Sequence, residues 1–175
     1  MCAFEYYSYE DYKHWQGDWE LIDGIAYAMA PSPVFNHQVF AYEIAFRFRT
    51  AFDKCGCIVL GEEDYKIDEY NVVKPDVVVV CEMFERYITK APKIIVEVVS
   101  PSTAKRDEKI KFEIYEKEKV DYYVLFYPND KMVKVYKHNG EKFDKLKDSD
   151  EYEFEIEDCK GKVNFKAIFE RFKGL

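Results

Sequence analysis

A chain of 175 residues is long enough to bury a sizeable core as one domain, and 48% hydrophobic with 18% aromatic residues excludes a disordered chain. Its 26 Lys and Arg stand against 34 Asp and Glu, a net charge of −8. That balance argues against a protein that coats polyanions, whose affinity is built from phosphate neutralisation, but not against an enzyme that meets phosphate through metal ions and local lysines.

From the N-terminus, Ser8 followed by Asp11 has the pattern of a capping box and predicts a short helix from about Tyr9 to Trp15, stopped by Gly17-Asp18. Trp19–Ile22, the turn Asp23-Gly24 and Ile25–Met29 read as an N-terminal β-hairpin. Pro31-Ser32-Pro33 is a break. From about Asn36 to Lys54, Val39, Phe40, Ile44, Phe46, Phe48 and Phe52 suit an amphipathic helix with Arg47 and Arg49 turned outward. Short strands are expected at Cys57–Leu60 and Tyr65–Asp68, with a turn at Tyr70-Asn71.

Two strands then dominate the chain, Val77–Val80 and Ile94–Val99, both near-continuous Val/Ile runs of the kind buried on two faces. A charged helix follows Ser100-Pro101-Ser102-Thr103, and Asp121–Tyr127 is another apolar strand. Met132–Tyr136 and Lys142–Leu146 flank His138-Asn139-Gly140-Glu141, a C-terminal hairpin. Glu151–Ile156 alternates acid and apolar, as a half-exposed strand does, and a last helix is expected at about Phe165–Phe172.

The Tyr and Phe excess reads as core packing, because no set of exposed aromatics among basic residues stands out as a base-stacking platform. The charge-rich stretch from Glu141 to Lys160 reads as solvated surface. The cysteines, Cys2, Cys55, Cys57, Cys81 and Cys159, are odd in number and form no CxxC pair, so free thiols are expected rather than zinc. No apolar run approaches the ~20 residues of a membrane helix and no signal peptide is visible, which predicts a soluble, cytoplasmic protein.

An acid inside an apolar strand is the anomaly of this sequence, since an unpaired buried carboxylate costs several kcal/mol or takes up a proton. Glu97 lies within the second Val/Ile strand and Asp76 heads the first. If the strands pair antiparallel with partner numbers summing to an odd value, both acids face one side, roughly 5–8 Å apart. One hard divalent cation, Mg²⁺ or Mn²⁺, can bridge that spacing, keeping several waters for substrate phosphate to displace. In the charged helix Asp107, Lys111 and Tyr115 recur every fourth residue, with Ile110 and Ile114 beside Lys111. Lys111 is therefore the lysine expected to point inward, while Lys105 and Lys109 face solvent.

Pro75-Asp76 followed by Glu97-Val98-Val99 resembles the PD-(D/E)XK nuclease pattern, with Val99 where that pattern has Lys. A wider resemblance is to the bacterial Uma-type ("Uma two") restriction endonuclease family. It is carried by Tyr9-Glu10-Asp11-Tyr12, Trp19 to Gly24, Pro31-Ser32-Pro33 with His37-Gln38, Asn71 to Asp76, Val96 to Thr103, and Asp107, Lys111 and Tyr115. No internal repeat, low-complexity tract or linker divides the chain, so a single domain over residues 1–175 is expected, and the resemblance implies an α/β, restriction-endonuclease-like core with a mixed central β-sheet flanked by helices. It implies Asp76 and Glu97 as ligands of Mg²⁺ or Mn²⁺ and Lys111 as the catalytic cation replacing the missing motif Lys. Glu20, His37 and Asp107 are supporting candidates, with Glu20 a third carboxylate should a second metal bind. DNA is the implied substrate, and a homodimer would suit cutting both strands of a duplex. Two other expectations stand beside this one: a catalytically silent nuclease-fold binding or assembly module, and a metal-dependent hydrolase of a small phosphate substrate.

Overall fold

The computed structural model describes residues 5–29 and 35–175, so the Pro31-Ser32-Pro33 break lies outside the described residues. A one-turn helix α1 (Tyr9–Tyr12), closed by the Ser8–Asp11 capping box, precedes the hairpin β1 (Trp19–Ile22) and β2 (Ile25–Ala28). Asp23 and Gly24 both take positive φ, 48° and 73°, the pair of left-handed residues that a tight two-residue hairpin turn requires. Helix α2 (Phe35–Ala51) follows, then β3 (Ile58–Gly61), β4 (Tyr65–Lys66), β5 (Val72–Val73), β6 (Val77–Val80) and β7 (Ile94–Val98). A π-helical turn, Arg106–Lys111, runs directly into α3 (Phe112–Lys117). The chain finishes with β8 (Tyr122–Tyr127), β9 (Met132–His138), β10 (Phe143–Lys145), β11 (Glu151–Ile156), β12 (Cys159–Asn164) and α4 (Phe165–Arg171).

The main sheet has six strands in the order β10-β9-β8-β7-β6-β3, with β7 and β8 parallel and the other pairs antiparallel. Its central strands are buried on both faces, as their unbroken Val/Ile runs require. One face carries Val77, Val79, Val96 and Val98 against Phe40, Ile44 and Phe48 of α2, the β11–β12 hairpin and α4. The other carries Val78, Val80, Ile95 and Val99 against Tyr115 of α3 and the small sheet β2-β1-β5-β4.

Several local expectations change. Phe46 does not join the buried stripe of α2: it is 58% exposed, because it lies about 200° round the helix from Ile44 and from Phe48. Arg47 is half-buried and bonds Glu43, whereas Arg49 is exposed. The stretch 141–160 is not merely solvated, since Tyr152, Phe154 and Ile156 of β11 are buried while its glutamates face outward. Its partner β12 has no apolar run to announce it, and Gly161 there faces α2 so closely that a Cβ would come within 2.9 Å of the Phe52 ring and 3.1 Å of Ala51 Cβ. Gly161→Ala should lower stability by about 1–3 kcal/mol through overpacking, read as an earlier urea midpoint with an unchanged slope.

The expectation of free thiols is also corrected, because Cys55 pairs with Cys159 and Cys57 with Cys81 as disulfides. Register brings the second pair together. Ile58 opposes Val80 in the antiparallel β3–β6 ladder, so Cys57 and Cys81 face each other one step beyond it. The first pair joins the turn after α2 to the first residue of β12, across 104 positions, a juxtaposition that no local spacing reveals.

Candidate active site

β6 and β7 pair with Val77 opposite Val96, a register whose partner numbers sum to 173, so Asp76 and Glu97 stand opposite each other one step beyond the ladder. Both belong to the face that holds Val78, Ile95 and Val99, where the apolar core gives way to acids. The Asp76 carboxylate accepts the Val98 N–H at 2.6 Å, so a side chain extends the ladder and locks this acid beside β7. His37, from the first turn of α2, brings Nε2 to 3.2 Å from the same Oδ2.

Lys111 reaches this point from the π-helical turn. In a regular α-helix, residues spaced by four drift by about 40° per step. The wider i→i+5 turn slows that drift and keeps Asp107, Lys111 and Tyr115 on one buried face. Lys111 Nζ lies 2.7 Å from Glu20 Oε1, 2.9 Å from Glu97 Oε1 and 3.9 Å from Asp107 Oδ1. Tyr115 Oη donates to the same Glu97 oxygen at 3.1 Å. Lys105 and Lys109 are exposed.

A cleft of about 370 Å³ opens over these groups. Asp76, Glu97, Asp107, His37 and Lys111 form its inner wall, and the loop Ser100–Thr103 forms its lip. Glu20 is fully buried and stands behind Lys111, off the cleft wall. It accepts the Lys74 backbone N–H at 3.0 Å, and Arg106 Nη1 lies 3.3 Å from its other oxygen without hydrogen-bond geometry. Lys74 and Arg106 are site residues that the sequence did not single out. Lys74 acts partly through its backbone, and Arg106 is one of several charges on a charged helix, so neither carries a distinctive side-chain signal.

Acids outnumber cations here. Asp18, Glu62, Asp76, Glu97 and Asp107 line the cleft against Lys74, Arg106 and Lys111. Burial pushes the Glu97 carboxyl well above its usual range; Lys111 opposes that shift, while Asp76, Asp107 and Glu20 add to it. Asp107 is raised in the same way, by burial first. Burial alone would favour a neutral Lys111, but the surrounding acids outweigh it and hold the ammonium charged well beyond its ordinary pH range. For His37, burial works downward, and the Asp76 hydrogen bond and charge, with Glu62 and Asp107, produce a net rise.

These residues fit a hard divalent cation. Two carboxylates share one wall, acid is in surplus, and His37 Nδ1 is buried without a hydrogen-bond partner. Among the described residues no three His, Cys, Asp or Glu side chains enclose an ion. Among the described residues no helix is long and apolar enough to cross a membrane.

Comparison with known proteins places this architecture. A crystal structure from Anabaena variabilis, described as a "putative nuclease belonging to DUF820", superposes with a TM-score of 0.69 over 92% of each chain, at 14% identity. At that identity the likeness is one of fold, and the mixed sheet flanked by helices is a restriction-endonuclease-like core. A Synechocystis protein, "Uncharacterized protein slr1290", is 33% identical over 124 residues, 65% of this chain and 64% of that one, so the match spans a little under two thirds of this relative's length. A family model described as "Uma2: Putative restriction endonuclease" matches residues 5–156. That match runs through β1, the Asp76–Glu97 ladder and the Lys111 turn as far as β11, and the chain belongs to the Uma2 family.

Proposed function

We propose that this chain is a metal-dependent endonuclease that hydrolyses DNA phosphodiester bonds. The observation that carries the reading is the opposition of Asp76 and Glu97 on the wall of an open cleft, with the Lys111 ammonium 2.9 Å from Glu97. Asp76 and Glu97 would hold Mg²⁺ or Mn²⁺. Such an ion, when bound, neutralises charge on phosphoryl oxygens and acidifies a water.

The chain's own groups do the rest. Lys111 Nζ donates to Glu97 at 2.9 Å, and Glu20 Oε1 lies 2.7 Å away without hydrogen-bond geometry. The ammonium also donates to the Lys74 carbonyl at 3.5 Å, a long contact that a phosphate oxygen can replace. Glu20 and Asp107 are positioning residues that keep this ammonium charged and aimed at the cleft. His37 and the Val98 N–H orient Asp76. The Tyr115 hydroxyl holds the inner oxygen of Glu97.

Nicking of supercoiled plasmid in Mg²⁺ or Mn²⁺ and its loss in EDTA tests the activity, and calorimetry with Mn²⁺ tests the site. Glu97→Gln should weaken Mn²⁺ binding by on the order of tenfold or more, since a neutral amide is a poor ligand for a hard cation. Absence of both Mn²⁺ binding and cleavage of any DNA or RNA would leave a nuclease fold serving as a binding module.

A further inference from the structure

The aromatic residues divide into two populations. Phe48, Phe52, Phe126, Phe154 and Phe165 are core residues, as the composition suggested. Tyr9, Tyr12, Trp15, Trp19 and Tyr87 are not: all five are partly exposed and line a separate cavity of about 180 Å³. Their rings brace one another edge to face, tilted or, for Tyr9 and Tyr12, stacked, with Trp15 5.5 Å from Trp19 and 5.4 Å from Tyr12, and Tyr9 5.8 Å from Tyr87.

Two of these residues, Tyr12 and Trp19, have their polar atoms engaged by the protein. Tyr12 Oη donates to the Trp19 carbonyl and to Asp64, and Trp19 Nε1 donates to the Gln16 carbonyl. What the cavity offers a ligand is therefore ring surface together with polar and charged atoms. Its border carries four cations: Lys13, paired with Glu10, and Lys74, paired with Asp18 at 2.9 Å, stand on the wall, while Lys66 Nζ lies 3.5 Å over the Tyr9 ring and Arg86 5.1 Å over Tyr87. Asp64, the acid on this wall, is held by Tyr12 and lies 3.7 Å from Lys74. This corrects the expectation that no exposed aromatics are interleaved with basic residues. Those lysines disfavour a cationic guest, which a set of ring faces would otherwise suit, and favour a polyanionic strand that carries planar bases.

Lys74 lines both this cavity and the candidate active cleft. Only Pro75 separates it from Asp76, a reach of roughly 7 Å of extended chain. We infer that the cavity binds an unpaired nucleobase of the substrate strand next to the phosphate being cut, with Lys74 at the junction. The inference rests on reading the cleft as a phosphodiesterase site. A base inside a duplex hides its faces in the stack, so the substrate must present a single-stranded, flapped or extruded nucleotide here.

Trp15 and Trp19 are the chain's two tryptophans, so intrinsic fluorescence reports this site directly. The full chain, in EDTA to prevent cleavage, is titrated with a short single-stranded oligonucleotide, with the same strand made abasic, and with its blunt duplex. The single strand should quench saturably, and the abasic strand and the duplex should bind about 5- to 150-fold more weakly, the range for one lost stacking contact. Tyr87→Ala should weaken single-strand binding by a similar factor and Tyr87→Phe should restore it, with circular dichroism verifying the fold of each. Equal affinity for the abasic strand, or no effect of Tyr87→Ala in a folded protein, would overturn the site. Cleavage in Mg²⁺ without base-dependent quenching removes the stacking site and leaves the nuclease reading; base-dependent quenching without cleavage does the reverse.

Discussion

Asp76→Asn should reduce metal-dependent plasmid cleavage by on the order of 10³-fold or more while leaving the protein as stable as the wild type or slightly more so. The two halves of that result have separate causes. Cleavage depends on negative charge at this position, because a hard cation and the phosphate charge it offsets are held electrostatically in a low-dielectric cleft. Stability depends on the Val98 N–H, whose 2.6 Å bond to Asp76 an amide oxygen can still accept. The substitution also removes one acid from a wall where Glu97 and Asp107 feel its repulsion. Active sites commonly hold groups whose mutual repulsion costs stability, and neutralising one of them relieves that cost. Asp76→Ala is the weaker test, since it leaves the Val98 N–H buried without a partner, at about 1–3 kcal/mol. Plasmid nicking and urea unfolding on the same preparation separate the two effects. Full cleavage by Asp76→Asn would remove Asp76 from the chemistry.

The parts of this site that were legible in the sequence are those written as local anomalies. An acid in a Val/Ile run stands out because hydrophobic burial makes it expensive, and the alternation of strand faces then reduces the geometry to one question: whether the register sum is odd or even. Val77 opposite Val96 answers it. The four-residue spacing of Asp107, Lys111 and Tyr115 likewise marks one face before any fold is known, although the π-helical turn that aligns them has no visible signature in Arg106–Lys111. The hairpins β1–β2 and β9–β10 were legible for the same reason, since Asp23-Gly24 and Asn139-Gly140 are local turn chemistry.

Non-local features were not legible. The partnership of Glu20 with Lys111 joins a strand of the small sheet to the π-helical turn, the Cys55–Cys159 link joins distant elements, and β5 is only two residues long. The aromatic cavity was missed because composition counts rings without saying which of them are half-exposed. Tyr9 and Tyr87 come together through tertiary packing, and only then does Lys66 lie over a ring.

Lys111→Met should cost about 3–5 kcal/mol of stability at neutral pH as well as activity, because removing one member of a buried ion cluster strands the rest. Lys111 is the ammonium in contact with Glu97, and it lies closer than Arg106 to Glu20. Without it, the carboxyls of Glu97 and Asp107, already raised by burial and held back by Lys111, rise further. A carboxyl whose folded pKa exceeds its unfolded value of about 4 binds more protons in the folded state. Stability then falls as pH climbs from the unfolded value through the folded one, so the deficit should be largest near pH 7 and shrink toward pH 5. Adding Glu97→Gln to Lys111→Met removes an unpaired acid and should recover part of the lost stability with no return of cleavage. Urea midpoints at pH 5 and pH 7 for the single and double variants test this. A deficit independent of pH, or a double variant less stable than the single one, would mean that the amine's role is packing, and Lys111 would then lose its place as the cation of the cleft.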